Sequence, residues 1–69
     1  MRISARNQLK GTVVAIKEGA VNGIVSIKIP GDNIIAATIS MDSIKNLGLE
    51  VGKEAYAVIK ATSVMVAVD

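Results

Sequence analysis

The chain has 69 residues, a formal net charge of +2, no cysteine and no histidine. Hydrophobic residues make up 51% of it but aromatics only 1%, with Tyr56 as the sole aromatic residue. These counts exclude disulfides, remove the soft and imidazole ligands of a structural zinc site, and leave no Ser–His, Cys–His or His–metal catalysis within one chain type.

Such a length implies a single domain, residues 1–69. A chain this short buries only about 60% of the surface its unfolded form exposes. Small domains of this kind need a staple, and with disulfides and zinc gone, a partner subunit is the expected one. The N-terminus lacks the apolar run of a signal peptide, and no stretch approaches the ~18 apolar residues of a membrane span. The charge excess is mild. With one aromatic residue the stacking platform of single-strand nucleic-acid binders is missing.

The first predicted element is a strand from Leu9 to Lys17, where Thr12, Val13, Val14 and Ile16 are β-branched. Glu18, Gly19 and Ala20 form a turn. A second strand runs from Val21 to Ile29, with Val21, Val25, Ile27 and Ile29 apolar at a period of two. Pro30, Gly31, Asp32 and Asn33 make the next turn: proline presets φ, and Gly and Asn tolerate positive φ. The third strand, Ile34 to Ile39, is apolar on both faces. Ser40 is the expected N-cap of a short helix over 41–47, with Asp42 in its first turn, Ile44 and Leu47 on one face, and Gly48 as the left-handed residue that ends it. Gly52 marks a turn. Two more strands are predicted, Ala55 to Lys60 and Ser63 to Val68, with Ala61 and Thr62 as a bend or bulge between them. The bend leaves too few residues for an ordinary hairpin loop, so the last strand either turns sharply or pairs elsewhere, another chain included. The order β-β-β-α-β-β predicts an all-β, five-stranded OB-like antiparallel barrel with one short helix between strands 3 and 4. Ile34–Ala37 and Val64–Val68 are apolar on both faces and need cover on both sides. No second helix is predicted to give it, which again points to an oligomer.

Three groups of residues offer chemistry. Ser4 and Arg6 lie two apart in the polar stretch Ser4-Ala5-Arg6-Asn7-Gln8, on the same side of an extended segment. Arginine presents a rigid fork of donors suited to oxyanions, and serine adds another. Lys60 ends an apolar strand beside a bend where Ala61, Thr62 and Ser63 free backbone amides for an anion. Ser43 sits in the first helical turn, where amides and dipole favour negative charge. The acidic residues Glu18, Asp32, Asp42, Glu50, Glu54 and Asp69 are scattered, with no spacing that argues for glycosidase or hard-metal chemistry. Donors without a general acid, base or nucleophile suit binding an oxyanion rather than transforming it.

The stretches Ser4–Gly11, Gly19–Asn22, Asp42–Leu49 and Gly52–Val64 resemble the molbindins, small molybdenum–pterin-binding proteins, over the whole chain. The resemblance implies a cytoplasmic, non-enzymatic protein with an OB-like barrel, a strand-exchanging dimer and a hexamer built as a trimer of dimers. It also implies molybdate or tungstate bound at subunit interfaces for molybdenum storage and homeostasis. Carried over residue by residue, one oxyanion site takes Ser4 and Arg6 from one subunit and Ser43, Lys60 and the Ala61 amide from its neighbour. A second anion site falls on the turn Ala20, Val21 and Asn22. No side chain coordinates a metal directly, and neither nucleic acid nor membrane is a partner. Gly23 and Pro30 depart from the family's pattern. The competing readings are an OB-fold nucleic-acid-binding protein, a biotinyl-type carrier, which would need a lysine beside Met65, and a regulatory domain of a molybdate transporter or repressor. The motif begins directly after Met1, which favours a free-standing protein over such a domain.

Overall fold

A computed structural model describes residues 1–69. It contains β1 (Asn7–Lys17), β2 (Asn22–Ile29), β3 (Asn33–Ser40), α1 (Met41–Asn46) and β4 (Glu54–Ile59), followed by a single 3-10 turn (Ala61–Ser63). The strands form one antiparallel sheet in the order β3-β2-β1-β4. This is the expected class, a curled antiparallel sheet with one short helix after the third strand.

The curl originates in β1. Its first half, Asn7 to Thr12, pairs with β4, and its second half, Thr12 to Lys17, pairs with β2. The change of partner coincides with a register shift between Val13 and Ala15. There Val14 is left without a β2 partner, while Val13, opposite Ile27, directs its backbone groups to the β4 approach: its amide donates to the Lys53 carbonyl at 2.9 Å and its carbonyl accepts from the Gly52 amide at 2.8 Å. A bulge of this kind bends a strand and lets one sheet wrap round its own core. Gly11 lies just before the crossing. A Cβ there would strike the Lys28 carbonyl oxygen and come within 2.8 Å of Ile27 Cγ2.

Core residues follow the period-two reading of β2. Val25 and Ile27 point inward and are buried with Val13, Ile44 and Ala57. Ile35, Ile39 and Leu49 pack against this cluster from its margin. The Ser40 hydroxyl caps α1 by accepting from the Ser43 amide at 3.0 Å. The helix ends where Gly48 takes φ +63, with Gly48 N–H donating to Lys45 O and Leu49 N–H to Ile44 O. This is the paired C-terminal bonding of a Schellman motif. Leu47, expected as the last helical residue, is the C-cap. In the β2–β3 turn the positive φ values belong to Gly31 and Asp32, not to Asn33. Aspartate tolerates the left-handed region, and the Asp32 carboxylate meets Lys28 Nζ at 3.1 Å.

The predicted fifth strand does not form within the chain. The 3-10 turn redirects the backbone after Lys60, and residues 64–69 carry no strand pairing. No loop remains that would return this segment to the free edge of β4. Met65, Val66 and Val68 are each more than 90% exposed.

Both β3 and β4 are thus open edges. Between them lies a cavity of about 710 Å³ whose lining is almost wholly apolar, including Ile35, Ile39, Tyr56 and Val58. Only 6 of 69 residues are buried. A self-contained folded protein of this mass exposes about 4,100 Å² and has a radius of gyration of about 11 Å. This chain exposes 5466 Å² and has a radius of gyration of 12.6 Å. The excess exceeds the ~800 Å² that each partner buries in a standard protein interface.

Gly11→Ala tests the strand crossing. The obstructing atom is backbone and cannot rotate away, so the substitution is expected to destabilise the fold by about 1–3 kcal/mol. Denaturant unfolding of the two proteins measures this; an unchanged midpoint would contradict the packing described.

Candidate functional site

The eight residues singled out by sequence fall into two clusters at opposite ends of β1. The first is built by the β1–β4 register. Asn7 pairs with Ile59 as the last rung, so Arg6 and Lys60 are the next residue on each strand. Ser4 lies in the bend just before Arg6. Ala61 opens the 3-10 turn just after Lys60, and its amide donates to no carbonyl, whereas Ser63 N–H reaches Lys60 O at 2.9 Å. Ser4, Arg6, Lys60 and Ala61 are all exposed.

Charge at this strand end is uncompensated. The three ion pairs of the chain join Lys10 to Glu54, Lys28 to Asp32 and Lys53 to Glu50. Neither Arg6 nor Lys60 has a carboxylate partner. Two cations, a serine hydroxyl and a free amide therefore lie at one strand end with no carboxylate among them. Such a set favours a fully deprotonated anion.

The second cluster sits where β2 begins and β3 ends. Ser43 N–H and Oγ are both engaged by Ser40, whose Oγ donates to Ser43 Oγ at 2.8 Å. Ser43 keeps its own hydroxyl hydrogen for an external acceptor. Asn22 is the cross-strand partner of Ser40, and the Val21 carbonyl accepts from the Met41 amide at 2.8 Å. The Ala20–Asn22 turn and Ser43 are thus neighbours, a proximity that sequence spacing did not reveal. No hydrogen bond links this cluster to Arg6 or Lys60 of the same chain.

Two further residues belong to the first cluster. Asn7 Nδ2 donates to the Ile59 carbonyl at 3.1 Å, and Gln8 Nε2 donates to the Ala5 carbonyl at 2.8 Å. The signal for them was an asparagine, a residue depleted in strands, opening one. No group of three or more His, Cys, Asp or Glu side chains is placed to hold a metal cation.

The TOBE domain, as a family, matches residues 3–66. A probable molybdenum-pterin-binding protein of Haemophilus influenzae is 64% identical over the full length of both chains. The chain belongs to the TOBE-domain family of molybdenum-pterin-binding proteins. Among solved structures, MopII from Clostridium pasteurianum superposes with a TM-score of 0.92 at 49% identity, covering 97% of this TOBE-domain chain and 100% of that one. The cytoplasmic molybdate-binding protein ModG, solved with molybdate bound, superposes with a TM-score of 0.83 at 52% identity, over 88% of this chain and 43% of that one.

Proposed function

We propose that this protein binds molybdate, and tungstate by the same chemistry, without transforming it, and serves as a cytoplasmic molybdenum store. The observation that carries the reading is the donor-rich cluster without a carboxylate at the end of β1–β4: Arg6 and Lys60 unpaired, beside Ser4 and the free Ala61 amide. Its support is the naming of the relatives, as molybdenum-pterin-binding and molybdate-binding proteins. One of them is described as cytoplasmic, and no helix of this chain is long and apolar enough to cross a membrane.

The working unit is an oligomer, a hexamer assembled as a trimer of strand-exchanged dimers. The apolar segment Val64–Val68 of one copy occupies the open edge between β3 and β4 of another. The excess surface, the two open edges and the exposed tail support this assembly. It is the step that makes the site: Ser43 lies at the far end of β1 from Arg6, so one anion can take both only from two chains. The strand register favours Ser4, Arg6, Lys60 and the Ala61 amide from one chain, with Ser43 from its neighbour. This moves Lys60 and Ala61 to the arginine's own chain, against the division that the family resemblance implies. The Ala20–Asn22 turn is a second anion site beside Ser43.

Selectivity follows from the donors. Near neutral pH phosphate keeps a proton that is best held by a carboxylate, and the cluster offers none. Sulfate is a dianion too, so it is rejected by size, because metal–oxygen bonds are longer than sulfur–oxygen bonds.

Titration calorimetry is expected to show saturable molybdate binding, with sulfate and phosphate much weaker, and loss of binding in Arg6→Ala and in Lys60→Ala. Equal affinity for sulfate and molybdate would overturn the reading. Refolding the two variants together tests the division of the site. With both residues from one chain every mixed site lacks one of them, and the mixture stays inactive. Recovery of part of the wild-type capacity would mean that the two residues come from different chains.

A further inference from the structure

Arg6 and Lys60 are like charges held one residue beyond the last rung of the β1–β4 ladder. Neither is tied to a carboxylate, and no ladder bond lies beyond Asn7 and Ile59. Their repulsion acts where a two-stranded ladder most readily frays. Asn7 stands at that rung. Asparagine is depleted in strands, so its place there is not explained by strand formation. Its half-buried side chain adds a bond that a generic strand residue would not make: Nδ2 donates to the carbonyl of Ile59, the residue bonded to Lys60. One residue further into the strand, Gln8 Nε2 donates to the Ala5 carbonyl at 2.8 Å and closes the bend that carries Arg6.

We propose that Asn7 is a positioning residue of the oxyanion site, whose side-chain bond to the Ile59 carbonyl holds the Arg6 and Lys60 strand ends together against their mutual repulsion before the anion arrives. The inference rests on the oxyanion-binding reading above. Asn7 does not touch the anion. It removes the cost of gathering two cations, which the ligand would otherwise meet on binding. Gln8 supports it from the exposed side of the same bend.

The test is Asn7→Leu, which keeps the side chain's size and removes the donor. Molybdate affinity is measured by calorimetry in wild type and variant from low to high salt, with the mass and melting temperature of the ligand-free assembly as controls. Loss of one neutral hydrogen bond predicts binding about tenfold weaker at low salt, with the ligand-free assembly unchanged. Salt screens like-charge repulsion, with a Debye length of about 10 Å at 0.1 M falling to about 3 Å at 1 M. The ratio of variant to wild-type Kd is therefore expected to shrink towards one as salt rises, although both proteins bind more weakly. A purely structural role gives no such convergence.

Equal affinity of variant and wild type at low salt overturns the inference, and so does a ratio that salt leaves unchanged. If Asn7→Leu does not assemble, Asn7→Ser, too short to reach Ile59, is measured in the same way. If both variants lose the ligand-free assembly, Asn7 holds the fold rather than the site, and the inference fails. If the wild type itself binds no molybdate, it is the functional reading that fails, a result distinct from the others.

Discussion

Two edges of the sheet, β3 and β4, find no strand to pair with inside the chain. One chain supplies four strands, two of them edges, and an apolar tail that finds no place on its own sheet. An apolar cavity between open edges is a liability in a free monomer, since edge amides and carbonyls template pairing with any other strand. The tail Val64–Val68 has the matching features: β-branched, apolar on both faces and exposed. In the proposed assembly the tail of a second copy would fill the gap and satisfy edge and tail in one step. It would also give a chain with neither cysteine nor histidine the staple it needs at this length.

The proposed binding chemistry depends on the proposed assembly. The two clusters at opposite ends of β1 cannot converge in one chain, whereas an interface between copies would bring unlike ends together. Enclosure at such an interface would also strengthen the site, because charges interact more strongly where water is excluded. The same exclusion would raise the repulsion between Arg6 and Lys60 in the empty site. The proposal thus couples anion and assembly: a dianion would neutralise the two cations, and the scaffold would hold them in place until it does.

Much of this was legible in the residues, and each success has a local cause. The density of Thr12, Val13, Val14 and Ile16 marked β1, and alternation from Val25 to Ile29 marked the buried face of β2. Ser40 and Gly48 fixed the ends of α1, because capping is decided by residues within a turn of each other. Donor chemistry singled out Arg6, Lys60 and Ser43 as residues of the proposed site. What failed to show was set by distance along the chain. The adjacency of Arg6 and Lys60 comes from a pairing across 52 residues between Asn7 and Ile59. The meeting of Ser43 with Asn22 depends on the β2–β3 register. The fifth strand was over-read because strand propensity in Ser63–Val68 is real but carries no information about which chain offers the edge. In the β2–β3 turn, Asn33 was expected to share positive φ with Gly31, and Asp32 takes it instead, with its carboxylate drawn to Lys28.

If one chain is an incomplete unit of fold, dissociation must cost it its strands. Sedimentation equilibrium of the ligand-free protein, from micromolar concentration downwards and followed by far-ultraviolet circular dichroism, reads both quantities. The expected result is a species several-fold heavier than the 7.2 kDa chain, with loss of strand signal when dilution dissociates it. A monomer that keeps its folded spectrum and melts cooperatively would contradict it.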